Sequence, residues 1–222
     1  MKAYAPATQR NRQPILDAIA PILPRPPNEG DGNQGDGQAR PPTGSVLEIA
    51  SGTGEHAVFL SSSLPWMIWQ PTDANDGALE SIAAWRAELG EDNLRAPVRL
   101  DVTQAGWEAS APAAARPGGY DAIVCINMIH IAPWEACLGL LRGAAVLLAP
   151  GRVLYLYGPF RFGGRFTAPS NEAFDATLRA RDPSWGVRDL DDVSAAAAER
   201  GFVQGEVIAM PANNHSVVFR RA

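Results

Sequence analysis

Two rhythms of apolar and polar positions alternate along this chain. Short apolar or β-branched runs, Val46–Ile49, Trp66–Asp73, Pro97–Val102, Tyr120–Asn127 and Val153–Tyr157, have the length and composition of strands. Segments of helical period separate them. One follows Gly54 as far as Ser63. A second carries Ala78, Ile82, Trp85 and Leu89 on one face, with Asn75 or Asp76 as its cap and Gly90 as its stop. A third opens near Pro133, runs through Leu138, Leu141 and Leu148, and is broken by Pro150-Gly151. Tyr120–Asn127 is nearly continuously apolar, the mark of a central parallel strand covered on both faces. Residues 105–119 are rich in Ala, Gly and Pro and form a loop with at most a helical turn, whereas 170–181 and 189–200 are helical. Val203–Met210, the turn Pro211-Ala212-Asn213-Asn214 and His215–Arg220 make a closing hairpin. The predicted class is therefore α/β: a doubly wound, Rossmann-like, seven-stranded sheet with an antiparallel last strand, binding ligands at the carboxyl ends of its parallel strands.

The first 24 residues carry Ile15, Leu16, Ile19, Ile22 and Leu23 at helical spacing, with Pro14 tolerable in the first turn. Such a helix packs over the domain and its cofactor site, either as a lid or as a plain packing element. Residues 25–44 hold almost no large apolar side chain and are dominated by Pro and Gly, so they read as a flexible loop. The main domain is then 45–222, a reasonable size for one core.

Composition narrows the function classes. Hydrophobic residues make up 46% and charged residues 19%, as in an ordinary globular protein, and a net charge of −5 argues against a general nucleic-acid binder. Two cysteines make no disulfide framework. There is no signal-peptide core, and the longest near-candidate for a membrane span, starting at Ala122, is interrupted by Glu135. A cytoplasmic protein without membrane or nucleic-acid partners is expected. The three histidines and two cysteines lack metal-ligand spacing, so no metal is expected, and no phosphate loop of the nucleoside-triphosphatase type is present.

The chemistry concentrates where Val46-Leu47-Glu48-Ile49-Ala50 runs into Ser51-Gly52-Thr53-Gly54-Glu55-His56-Ala57. A strand ends, two glycines let the backbone turn and a ligand approach closely, and a helix begins with free N–H groups and the positive end of its dipole. Gly52-x-Gly54-x-x-Ala57 fits the dinucleotide fingerprint. Glu48 lies four residues before Gly52, and the next strand ends in Asp73, 21 residues after Gly52, near the spacing of a ribose-binding carboxylate. Glu48 with the two glycines, Asp73, Asp101-Val102, Asn127 and Leu148-Ala149-Pro150-Gly151 resemble the motifs of class I S-adenosylmethionine (SAM) dependent methyltransferases over most of residues 45–222. Family members often carry a second glycine where Arg152 stands. Ala5-Pro6-Ala7, Arg10-Asn11-Arg12, Pro14-Ile15-Leu16 and Met210–Asn214 further resemble the poorly characterised methyltransferase-like 26 group.

The resemblance implies SAM as cofactor and assigns roles. Gly52, Thr53 and Gly54 receive its amino-acid portion. Glu48 holds that loop or reaches the ammonium through water. Asp73 binds the ribose hydroxyls. Asp101 accepts from the adenine amino group and the Val102 N–H meets a ring nitrogen. Asn127 touches the methionine part, and Arg12 clamps the carboxylate if the N-terminal segment folds over. Methyl transfer needs alignment of the acceptor, with a base where the acceptor is protonated. His130, three residues beyond strand four, is the candidate base, and a core histidine bonded to backbone is the competing reading. Tyr157 ends strand five on the expected pocket side. Tyr4 and the Arg161/Arg165 loop with its aromatic residues are weaker candidates, and His56 and His215 read as structural. The expected activity is SAM-dependent methylation of a small molecule. The alternatives are an NAD-dependent oxidoreductase, disfavoured because Lys2 is the lone lysine and no Tyr-x-x-x-Lys pair exists, or a SAM-binding module without catalysis.

Overall fold

The architecture is taken from a computed structural model, which describes residues 1–25, 42–114 and 119–222. Most of the segment expected as a flexible loop, 26–41, lies outside the described residues. Seven strands form one mixed sheet: β1 (Gly44–Ile49), β2 (Met67–Asp73), β3 (Val98–Arg99), β4 (Tyr120–Ile126), β5 (Leu148–Gly158), β8 (Phe202–Met210) and β9 (Asn214–Arg221), ordered β3-β2-β1-β4-β5-β9-β8. The first five are parallel neighbours, and β9 runs antiparallel to both β5 and β8. β6 (Arg161–Phe162) and β7 (Arg165–Phe166) form a small separate hairpin.

The helices are α1 (Pro6–Ile19), α2 (Glu55–Ser63), α3 (Asp76–Leu89), α4 (Trp107–Ser110), α5 (Trp134–Leu147), α6 (Pro169–Arg181) and α7 (Leu190–Ala198). β1 is buried along its whole length, and the sheet divides the apolar core in two. Leu47, Ile49, Ile123, Cys125, Leu154 and Leu156 point to the α5/α7 side. Val46, Val124, Val153, Tyr155 and Tyr157 point to the side covered by α1 and α2. The alternation follows from the period-2 geometry of a strand, and both faces are apolar because helices cover both.

Two expected elements end differently. The third strand was expected over Pro97–Val102 but pairs only through Val98 and Arg99. Asp101 then turns the chain, accepting from the Gln104 N–H through its carbonyl. The fifth strand was expected from Val153 but begins at Leu148. A register shift between Tyr120 and Ala122 lets Leu148 pair first, with Gly151 at φ 81° carrying the irregularity, so Pro150-Gly151 sits inside the strand.

The N-terminal strap before α1 is tied to the glycine-loop region. The Ala3 N–H donates to Ser81 Oγ at 2.8 Å, and that hydroxyl donates to the Thr53 carbonyl at 2.7 Å. The Ala5 N–H donates to Glu55 Oε2 at 2.6 Å, which also accepts from Thr53 Oγ1.

On the opposite face, α5 approaches the chain after β3 through glycines. A Cβ at Gly139 would stand 2.0 Å from the Val102 carbonyl oxygen, and the Trp107 indole N–H donates to the Gly139 carbonyl at 2.8 Å. Gly139→Ala should therefore force α5 from Val102 and destabilise the protein by about 1–3 kcal/mol. Thermal denaturation checks this, and an unchanged Tm would show that the contact is not tight.

Candidate functional site

β1 and β4 are adjacent strands, and each is followed by a non-glycine residue in the left-handed region: Ala50 at φ 55° and Asn127 at φ 65°. Alanine has no side-chain polarity to offset that conformation, which costs it about 1–2 kcal/mol. Strain of this kind collects at sites where the backbone must turn away from a ligand. After Ala50, Gly52 at φ 57° and Gly54 at φ 90° complete the turn into α2. A Cβ at Gly52 would meet nothing within 4 Å, so its missing side chain leaves open space. A Cβ at Gly54 would come within 2.8 Å of the Ile82 backbone, so that glycine is required by packing against α3.

The turn is held by β2. The Ser51 N–H donates to the Thr72 carbonyl at 2.9 Å, Thr72 Oγ1 donates to the Glu48 carbonyl at 2.7 Å, and the Gly52 N–H donates to Asp73 Oδ2 at 2.9 Å. Asp73 Oδ1 accepts from the Asn75 N–H at 2.9 Å. Each oxygen of a carboxylate has a second acceptor position, so Asp73 retains capacity for two further donors.

In front of this corner lies a cavity of about 280 Å³. Gly52, Asp73, Asp101 and Val102 line it, together with apolar side chains that include Ile49, Leu100 and Ile131. A mostly apolar cavity with two carboxylates in its lining suits a base attached to a ribose. Burial raises the Asp101 pKa, but the Thr103 hydroxyl and amide, Gln104 and Arg99 outweigh it and leave the carboxyl below its usual range.

The remaining candidates are placed elsewhere. Thr53 sits in the loop, with Oγ1 donating to Glu55 Oε2 at 3.0 Å. Glu48 is buried beneath the loop, where its Oε2 accepts from the Trp69 indole N–H at 2.7 Å. Arg12 is exposed on the outer face of α1, its guanidinium 4.7 Å above the Phe59 ring, in a groove bounded by Tyr4 and Trp85 and not in the cavity with Asp73. The structure therefore does not bring Arg12, the expected clamp if the N-terminal segment folds over, together with Asp73. Tyr157 is buried on the α1 side, its pKa raised by burial, near Asn11 and Asn214. His56 Nε2 and Asn11 Oδ1 are 2.8 Å apart, which ties α2 to α1.

His130 was expected at the cofactor mouth and is instead 0% exposed, behind it. Its Nδ1 accepts from the Arg188 N–H at 3.2 Å, and its ring stands edge-on to Phe160 with centroids 4.9 Å apart. Burial, then the Arg188 charge, lowers its pKa to about 3. A ring so enclosed and so weakly basic is not positioned to take a proton from a bound acceptor.

Sequence reasoning missed Ile49, Leu100, Ile126, Met128, Ile131 and Ala136 as lining residues, because apolar side chains at strand ends read as core. Asn127 lies between two of them in sequence but is not among the residues that line the cavity, and its backbone N–H donates to the Tyr157 carbonyl at 2.8 Å.

Sheet order, the antiparallel β9 and the cleft beyond the β1, β2 and β4 ends together define the class I SAM-dependent methyltransferase fold. Solved structures share this fold. The human N-acetylserotonin methyltransferase in complex with SAM matches with a TM-score of 0.70 at 13% identity, over 97% of this chain and 53% of that one. An O-methyltransferase family 2 protein from Planctomyces limnophilus in complex with apigenin matches at 0.69 and 16%, over 97% and 60%. The SAM-dependent methyltransferase SibL, in its apo form, matches at 0.63 and 24%, over 80% and 50%. The chain thus spans between half and three-fifths of the length of these structures. Within that fold the chain belongs to DUF938, a family described as a protein of unknown function, whose model matches residues 2–221.

Glu48 gives the site a pH signature. Burial pushes its carboxyl up to about 7, against the pull of the Trp69 N–H toward the charged form. A carboxyl raised in the native state stabilises the fold fully below its unfolded pKa, and that contribution is lost as pH rises through about 7. The Tm of the wild-type protein relative to Glu48→Gln should accordingly fall between about pH 5 and about pH 8. A difference independent of pH would show that Glu48 titrates as it does in the unfolded chain.

Proposed function

We propose that this chain is a SAM-dependent methyltransferase that acts on a small molecule. The observation that carries this reading is the Gly52 N–H bound to Asp73 at the edge of an apolar slot that also holds Asp101 and Val102. In this proposal the spare acceptor positions of Asp73 take the two ribose hydroxyls. The apolar slot takes adenine, with Asp101 toward its amino group and the Val102 amide toward a ring nitrogen. The methionine portion lies over Gly52 and Gly54 and reaches Asn127. The SAM bound to the human neighbour supports the cofactor, and the apigenin bound to the Planctomyces neighbour supports a small acceptor. The N-terminal segment 1–24 is strapped to the loop through Ser81 and Glu55, and in this proposal it packs beside the cofactor loop. The narrower kinship with the methyltransferase-like 26 group rests on the terminal motifs.

Bound SAM supplies an electrophilic methyl on a sulfonium. The residues of this chain hold the adenosine, orient the methionine end and exclude water. With His130 enclosed, positioning and desolvation carry the rate.

Calorimetric titration tests the cofactor. SAM or S-adenosylhomocysteine should bind and NAD should not. Asp73→Ala should raise the Kd at least about tenfold, because two charge-assisted hydrogen bonds are each worth roughly 1.5–3 kcal/mol. Binding of NAD without SAM would reject the proposal. Transfer of label from SAM into a metabolite extract then separates an enzyme from a binding module.

A further inference from the structure

His130 holds a polar atom that its surroundings leave unpaired. Nδ1 accepts the Arg188 N–H, so in an uncharged ring the proton sits on Nε2. That Nε2 is buried without a hydrogen-bond partner. An orphaned buried N–H is costly and calls for an explanation.

Gly158 supplies the geometry. A Cβ built there would stand 2.4 Å from His130 Nε2 and 3.3 Å from Asn127 Oδ1. The imidazole N–H and the Asn127 amide oxygen thus converge on the same bare α-carbon, at the end of β5 where Gly158 pairs with His215. The backbone around Asn127 is fixed by three bonds: its N–H to the Tyr157 carbonyl at 2.8 Å, its carbonyl from the His130 N–H at 3.0 Å, and the Gly186 N–H to the His130 carbonyl at 2.9 Å. Only the Asn127 side-chain torsion remains to be set.

We infer that His130 is a positioning residue: with its proton on Nε2, it turns the Asn127 amide oxygen inward and so presents the Asn127 NH2 as a donor to the methionine end of the cofactor. On this inference the Asn127 amide turns its oxygen onto Nε2–H, which satisfies the orphaned donor when a cofactor carboxylate engages the NH2. The inference rests on the SAM reading given above. It makes Asn127 a donor where the opposite orientation would make it an acceptor.

Two substitutions separate this from a structural role, because each keeps one ring nitrogen's function. Asparagine at 130 keeps an acceptor for the Arg188 N–H and removes the donor toward Asn127. Glutamine keeps a donor near the Nε2 position and removes the acceptor. S-adenosylhomocysteine affinity, measured by calorimetry, should fall at least about tenfold in His130→Asn, and His130→Gln should restore most of it. A purely structural histidine predicts the reverse order, so Gln weaker than Asn, or both equal to wild type, overturns the inference. Should either variant fail to fold, nitrogen NMR of the histidine-labelled wild-type protein decides. Protonation of His130 on Nε2 supports the inference, and protonation on Nδ1 overturns it. Failure of the SAM reading itself is distinct, since the wild-type protein would then also fail to bind S-adenosylhomocysteine.

Discussion

The site depends on one hydrogen bond, from the Gly52 N–H to the Asp73 carboxylate. It joins the turn after β1 to the end of β2, and it forms because the parallel register sets Glu48 beside Pro71 and brings both strand ends to one edge. Ser51 and Thr72 reinforce the same corner, through the Ser51 N–H to the Thr72 carbonyl and the Thr72 hydroxyl to the Glu48 carbonyl. A carboxylate there is partly satisfied by the protein and partly open. It can therefore hold the loop shut without a ligand and still accept two hydroxyls.

Backbone strain is concentrated at the same edge. Ala50 and Asn127, on neighbouring strands, both leave the sheet in the left-handed conformation. Ala50 is itself part of the cavity lining. The cavity lining is mostly apolar, with Asp73 and Asp101 as its carboxylates. Glu48 belongs to the supports and not to the rim. It is enclosed under the loop with the Trp69 indole as its donor, and its raised pKa follows from that burial.

Much of this was legible beforehand. The alternation of strands and helices, the glycine turn, the acid that ends β2 and the closing hairpin all show in local pattern, because period and turn chemistry are local properties. The bounds of β5 were not legible, since Pro150-Gly151 reads as a stop and only the pairing of Leu148 with Tyr120 carries the strand through it. Arg12 and His130 show the other limit. Both stand at plausible distances in sequence from the cofactor residues. Yet Arg12 lies over Phe59 on an outer face, and His130 turns into the core against Phe160.

The amino-acid sequence by itself determined the class of the sheet, the glycine turn after β1 and the carboxylate that ends β2, because each rests on residue type and spacing within one or two elements. The tertiary structure alone decided which side chains face the cleft, how deeply Glu48 and His130 are enclosed, and that Asn127 and His130 meet across Gly158. Those outcomes depend on how distant elements rotate and pack against one another. A helix or strand does not encode its own rotation relative to a neighbour, so they could be read only once the layers were assembled.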